Sequence, residues 1–452
     1  MRPRLPERLF VMVFLLYSMG VVTGITRPYE AETDPSAIAA PVHVADVVIQ
    51  AVIQVWGVAL IVCRGRQVMK ALRTVWPLLA LVSFAVLSTA WSSRPDLTIR
   101  RSALLFVSML LAVYIGERFT IDEQVRLLCK TFCVMILAIL VLRIAASRYV
   151  VDYVSHPGAW KGLSSYKNAF GQYMATASLL LIVSRFKSLP WMRYLFLSAA
   201  LAMLLFAQSA ASVLCFLLML PLIPLWRSSR ISGKQRLPVF TGIAVGMFTG
   251  VYVFMTHAGR VFEALGRNSN LSGRSDLWAY VWAAIMKRPL LGYGYDAFWA
   301  GLGEALEVRM GIGWMAQRSD NGYLDFALGL GAVGVGLLLC LWFFSFRKAM
   351  AYLQLERRSF AVWPITYMAF YLLHNLSEST LLARGGLPDL LFMTTVVSLA
   401  VNHQAPVEVP KYCANNSRND LVQRFGGYAS HHPGIHTVGR IPMQVYESSS
   451  TD

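Results

Sequence analysis

Apolar stretches of about the length that carries a helix across a bilayer, ~20 residues, recur from one end of the chain to the other. Runs such as residues 77–91 and 324–346 do not alternate apolar and polar positions, as the strands of a transmembrane barrel would. Hydrophobic residues make up 56% of the chain and charged residues 14%, against ~25% charged in an ordinary soluble domain. Mean hydropathy is +0.52. A soluble enzyme, a disordered chain and a secreted disulfide scaffold are excluded. The fold class that follows is all-α: a polytopic transmembrane helical protein.

About twelve spans are expected, at roughly 9–26, 44–63, 74–91, 99–116, 128–146, 168–184, 194–208, 210–226, 238–256, 323–346, 360–374 and 387–402. The seventh and eighth nearly fuse around Gln208–Ala211. The first follows Arg2, Arg4 and Arg8 and is read as an uncleaved anchor. With the N-terminus in the cytoplasm, alternation puts twenty Lys and Arg in inside loops and six in short outside loops, or eight if Arg100 and Arg101 are counted outside. That asymmetry is what orients membrane helices, and it predicts that both termini are cytoplasmic. The organisation expected is spans one to nine over 1–256, one large periplasmic loop at 257–322, spans ten to twelve over 323–402, and a disordered cytoplasmic tail at 403–452.

The net charge of +17 is accounted for by those orienting loops, so no nucleic-acid partner is expected. The six cysteines include no CxxC pair. No disulfide, metal site or cofactor is expected.

Chemistry is expected in the loop at 257–322, because long connections without a function are uncommon. It holds Arg260, Arg267, Arg274, Lys287, Arg288, Arg309 and Arg318. Arginine suits phosphate, whose oxygens its planar fork can grip in pairs. Residues 275–288 read as an amphipathic helix, with Leu277, Trp278, Val281, Trp282 and Ile285 on one face and Pro289 as its stop. Gly273-Arg274-Ser275 lies at its start, where free backbone N–H groups favour an anion. Trp278, Tyr280, Trp282, Tyr293, Tyr295, Trp299 and Trp314 crowd the loop; they suit a membrane interface or the stacking of sugar rings. Gly292-Tyr293-Gly294-Tyr295 is neither a dinucleotide fingerprint nor a P-loop.

Three polar islands lie at the outer ends of spans: Trp160–Asn168, Ser319–Tyr323 and His374–Ser379. Polar groups at membrane depth are costly and tend to be functional, so the islands are expected to converge. His374 taken alone reads more readily as a hydrogen-bonded structural residue than as a catalyst.

In order, Trp91-Ser92-Ser93-Arg94-Pro95, Lys161-Gly162-Leu163-Ser164-Ser165-Tyr166-Lys167-Asn168, Leu271-Ser272-Gly273-Arg274-Ser275-Asp276-Leu277-Trp278, Pro289-Leu290-Leu291-Gly292-Tyr293-Gly294, Asp320-Asn321-Gly322-Tyr323-Leu324-Asp325 and Asn375-Leu376-Ser377-Glu378-Ser379 resemble the O-antigen ligase and exopolysaccharide polymerase superfamily of bacterial inner membranes. The resemblance covers roughly residues 75–400. It implies a metal-independent glycosyltransferase on the periplasmic face that takes a glycan from undecaprenyl pyrophosphate. Ligases pass it to lipid A-core, and polymerases pass it to another lipid-linked repeat. Arg274 matches the family arginine of the GR motif. Two departures stand out. Many members have His-Asn where this chain has Asp320-Asn321, and often Ser-Arg where it has Ser209-Ala210 or Ala211-Ser212. Gly322-Tyr323-Leu324-Asp325 looks more like the polymerase branch.

The expected function is therefore an exopolysaccharide polymerase, with an O-antigen ligase as the nearest rival. A lipid-linked oligosaccharide flippase is the rival from another class; it would show internal repeats and midplane charges, and no clear repeat is present. Arg143 is the one basic residue well inside a span, placed where it can snorkel outward. Arg274 is the first choice for stabilising the departing pyrophosphate, with Arg318 and Arg267 behind it. Asp320 is the candidate base for the acceptor hydroxyl and Glu378 the reserve. Asp320 also has a plain reading as the cap of the helix that follows. Lys161, Lys167, Asn168, Asn321 and His374 complete the expected substrate-binding set. Membrane lipids, chain-length regulators and export proteins are the expected partners.

Overall fold

A computed structural model describes residues 3–26, 44–153, 156–164, 166–185, 189–228, 273–356, 358–383 and 386–402. The expected span at 238–256, the candidate Arg267 and the tail at 403–452 lie outside them. The described residues are helical, with one isolated antiparallel bridge between Val151 and Trp160.

The N-terminal half holds α1 (Leu5–Ser18), α2 (Val21–Thr26), α3 (Val44–Cys63), α4 (Gly65–Thr74), α5 (Trp76–Leu87), α6 (Pro95–Arg118) and α7 (Ile121–Ala145). Glu7 of α1 accepts hydrogen bonds from Arg118 Nε at 2.7 Å and Nη2 at 2.8 Å, and from Tyr114 Oη at 3.1 Å. This nearly buried ion pair ties α1 to α6. The stretch read as a basic loop after α3 is instead a helix. α4 turns 88° from α3, burying Val68, Ala71 and Leu72 while Arg66, Lys70 and Arg73 stay exposed. One apolar stripe at helical spacing opposite a basic face is the pattern of a helix lying along a membrane surface.

Next come α8 (Lys167–Val183), α9 (Pro190–Phe206), α10 (Ala210–Met219) and α11 (Leu222–Ser228). α9 and α10 are separate helices, broken at Gln208, whose φ is +50°. Arg143 places its guanidinium 5.6 Å from the centre of the Trp160 ring. After the gap follow α12 (Arg274–Lys287), α13 (Glu304–Ile312), α14 (Gly322–Leu355), α15 (Trp363–His374) and α16 (Leu387–Asn402).

Four described segments are helical, long and apolar enough to cross a bilayer: Pro95–Arg118, Ile121–Ala145, Ala210–Arg227 and Gly322–Leu355. A fifth is added if the bent α3–α4 pair counts as one span. Shorter apolar helices occupy Trp76–Trp91, Pro190–Phe206 and Leu387–Val401. The chain is thus a helical membrane protein, and among the described residues four helices, or five with the bent pair, reach the length and apolarity expected of the twelve spans. α15 has only twelve residues, ~18 Å at 1.5 Å per residue. α8 interrupts its apolar surface with Asn168, Gln172 and Thr176.

The described part of the long loop has its own small core. Leu277, Val281, Ala284 and Ile285 of α12 pack with Tyr293, Phe298 and Val308, and against Leu328 of α14. Trp282, expected on the buried face, is 56% exposed. Positions 277, 281, 284 and 285 already form the stripe, and residue 282 lies ~100° round the helix from 281.

Gly331 breaks α14, with φ +60° and ψ −165°. Carbonyls near the break then face a new partner. Tyr293 N donates to Leu328 O at 2.8 Å, Gly294 N to Gly329 O at 3.0 Å, and Ala332 N to Pro289 O at 2.8 Å. A Cβ on Gly331 would lie 2.3 Å from Leu290 O, so the break and the Pro289–Gly294 segment require each other. The turn after α5 closes the other side: Ser93 N donates to Tyr293 O at 2.9 Å and Trp91 Nε1 to Leu291 O at 3.0 Å. Two of the six motifs therefore build one scaffold that anchors the loop to the helices.

Candidate active site

The other four motifs meet at a second place. Gly273, left-handed at φ +75°, starts α12 and delivers Arg274 as its first residue. Arg274 Nη1 donates to Ser377 O at 3.1 Å and Nη2 to Asp320 Oδ2 at 3.3 Å. Guanidinium has five N–H groups, so donors remain beyond these two contacts. Asp320 itself has φ +53°. The cap of α14 is Asn321, whose side-chain oxygen accepts from Tyr323 N at 3.0 Å and Leu324 N at 3.3 Å. The capping reading of Asp320 is thereby replaced: the cap lies one residue later, and Asp320 faces the arginine. Asn321, expected to bind substrate, has its oxygen committed to that cap.

Glu378 is 3% exposed, and its Oε1 accepts from Asn168 Nδ2 at 2.6 Å. Gly322 N, at the start of α14, donates to the carbonyls of Asn375 at 2.8 Å and Glu378 at 3.1 Å. Only glycine permits that approach, since a Cβ at 322 would lie 2.4 Å from Asn375 Oδ1. Burial pushes the Glu378 carboxyl up to about 7, and the charge of Asp320 adds to the rise. Arg274, Arg318 and the Asn168 hydrogen bond oppose it. Glu378 is therefore half-ionised near neutrality, where a group that takes and returns protons works best.

Arg318 Nη1 contacts Tyr166 Oη at 3.3 Å, with its guanidinium 5.5 Å from that ring's centre. Both line a cavity of about 440 Å³, together with Tyr173, Trp299, Asp325 and Thr380. Lys161 and Lys167 are buried, one in the turn before α8 and one at its first position, next to Asn168.

His374 does not belong with this group. It is fully buried, with Nε2 3.1 Å from Ser212 Oγ and its ring tilted against Phe370. Ser212 in turn accepts from Ser209 Oγ at 3.0 Å. His374 thus joins α15 to α10 inside the bundle, and a solvent-borne substrate has no access to it.

Sequence reasoning passed over Asp325. Its carboxylate accepts from Trp299 Nε1 at 2.7 Å, from Ser319 N at 3.1 Å and from Ser379 Oγ. It locks the loop, the segment carrying Asp320 and the segment carrying Glu378 to one helix end. Its place five residues after Asp320 was the available signal, but a carboxylate at a helix start also fits the helix dipole alone.

Residues 194–339 match the family model described as O-Antigen ligase. The chain is also 30% identical over 274 residues to the exopolysaccharide production protein ExoQ of Rhizobium meliloti (strain 1021), covering 57% of this chain and 61% of the relative. The chain thus spans less than two thirds of that relative's length. Both findings support the O-antigen ligase and ExoQ-like superfamily that the six motifs resemble.

Proposed function

We propose that this protein is an exopolysaccharide polymerase that joins undecaprenyl-pyrophosphate-linked oligosaccharide repeats on the periplasmic face of the bacterial inner membrane, with anomeric inversion and without a metal. The carrying observation is the convergence of Arg274, Asp320, Glu378 and Arg318, contributed by segments far apart in the chain. In the reaction, the acceptor hydroxyl attacks the anomeric carbon and its proton passes to Glu378. A new C–O glycosidic bond forms as the bond from the anomeric carbon to the pyrophosphate oxygen breaks. Lipid pyrophosphate leaves with the bonding pair, and its growing charge is met by Arg274 and Arg318. Preorganised donors of this kind supply much of the rate in such transfers. Asn168 holds Glu378 in place, and the aromatic-lined cavity beside Arg318 offers faces for sugar rings.

The family description favours a second reading, in which the acceptor is a lipid A-core and the protein is a ligase. Deleting the gene and examining the lipid-linked glycans separates the readings. A polymerase leaves single repeats on the periplasmic leaflet and no long polymer. Long polymer retained on the lipid carrier means a ligase, and repeats trapped on the cytoplasmic leaflet mean a flippase.

The proposal includes the twelve-span topology with residues 257–322 in the periplasm. In a cysteine-free background, Leu302→Cys, at a position 78% exposed in that loop, is expected to react with an impermeant thiol reagent added outside. Arg66→Cys on α4 is expected to react only after the membrane is opened. The reverse pattern would refute the orientation. Because arginines are proposed to carry the charge, polymer formation in washed membranes is expected to survive EDTA. A loss restored by Mg²⁺ or Mn²⁺ would transfer that role to a metal.

A further inference from the structure

Trp299 stands apart among the four tryptophans of the 257–322 loop. Trp282 and Trp314 are 56% and 42% exposed, as suits the boundary between membrane and water. Trp278 donates through Nε1 to Ser319 O at 2.9 Å and packs against the loop's small core. Trp299 packs against that core too, but it is the one of the four that lines the cavity of about 440 Å³.

Its place there is fixed from three directions. Nε1 donates to Asp325 Oδ1 at 2.7 Å. The Phe298 ring stands perpendicular to the indole, with the ring centres 5.1 Å apart. Arg309 donates through Nη2 to Trp299 O and through Nε to Ala316 O at 2.9 Å. That bridge ties the short 3-10 helix Phe298–Ala300 to the segment leading into Arg318. A buried indole needs one hydrogen bond for its N–H, and a clamped backbone and a ring braced edge to face go beyond that need. They order the side chain in advance, so a ligand that stacks on it does not bear the entropy cost of ordering it.

The surroundings indicate the ligand. An indole face is apolar and electron-rich, and the C–H groups along one face of a pyranose ring are apolar and slightly positive. Gln317, Arg318 and Tyr166 line the same cavity, and an amide, a guanidinium and a phenol are suited to sugar hydroxyls. The volume falls within the ~300–1,000 Å³ of small-ligand sites. We infer that Trp299 is the platform on which a pyranose of the lipid-linked repeat stacks, and so a specificity-determining residue held ready by Asp325 and Arg309. This inference rests on the glycan-transfer reading proposed above.

The test uses the full chain purified in a neutral detergent. The probe is the oligosaccharide repeat released by partial acid hydrolysis of the producing cells' own polysaccharide, which carries no pyrophosphate. Hydroxyl-radical footprinting of the unaltered protein is expected to show Trp299 protected by millimolar probe, with Trp282 and Trp314 oxidised as before. In polymer synthesis, Trp299→Ala is expected to raise the KM for lipid-linked repeat about tenfold, the effect of losing ~55 Å² of apolar contact, with kcat changed much less. Trp299→Phe keeps an aromatic face but has no N–H for Asp325, and its KM should fall between the two. Absence of protection at Trp299, or an unchanged KM in Trp299→Ala, would overturn the platform; the transfer reading would survive if Arg274→Lys still lost polymer. Protection of Trp299 in a protein whose gene can be deleted without altering polymer or lipid-linked repeats would keep the platform and refute the transfer. The footprint is read on the unaltered protein, so it decides the matter even if both variants fail to fold.

Discussion

Glu378→Gln is expected to lower polymer formation by ~10²–10⁴-fold, the range that removal of a general acid–base group produces. Glutamine keeps the size and can still accept the Asn168 hydrogen bond, so protein levels in the membrane should not change. The pH profile gives a sharper test. Glu378 must be ionised to accept the acceptor's proton, and its carboxyl is pushed up to about 7. Activity should therefore rise through an acidic limb near neutrality and fall about tenfold per pH unit below it. Asp320→Asn removes a like charge that contributes to that rise. Ionised Glu378 then becomes easier to form, so the limb should move to lower pH while the plateau persists. The measurement is lipid-linked polymer formed in washed membranes between pH 5 and 9. Near-normal activity in Glu378→Gln would remove it as the base. Collapse of Asp320→Asn at every pH would assign that role to Asp320.

Arg274→Lys is expected to cost ~10²–10³-fold in polymer formation, the scale seen when one preorganised donor to a developing negative charge is lost. Lysine keeps the charge but not the planar fork that lets Arg274 reach Ser377 O and Asp320 together. The effect should be catalytic rather than structural. The Arg274 and Asp320 side chains are 22% and 31% exposed, and a partly exposed ion pair is worth only ~0–1 kcal/mol. Immunoblotting of membranes should thus show normal amounts of the variant. Normal polymer from Arg274→Lys would reduce the residue to a structural contact and shift pyrophosphate stabilisation to Arg318.

The two expectations also show why the residues rank differently in sequence and in space. Asp320 was the more visible carboxylate, heading the Asp320–Asp325 motif, with Glu378 one of several polar residues after α15. Only the fold shows Glu378 buried against Asn168 while Asp320 sits in a partly exposed ion pair. Burial and neighbouring charge set a carboxyl's proton affinity, and neither is a property of residue order. His374 failed as a candidate for the same reason: its position beside Asn375 placed it with the polar island, but α15 turns it inward to Ser212.

The sequence by itself determined the helical membrane class, the motifs of the candidate site and the arginine at the start of α12. These follow from composition, from periodicity and from the few residue types that perform a given chemistry. The tertiary structure decided which motifs share a corner. It separated the Pro289–Gly294 segment, which braces the break at Gly331, from the segments carrying Arg274, Asp320 and Glu378. It also made Asp325 the common anchor of those segments. Several of these pairings join residues tens of positions apart, as Trp299 and Ser379 are from Asp325. They depend on how helices pack and where backbone groups are left to be satisfied, and no local pattern in the chain encodes that.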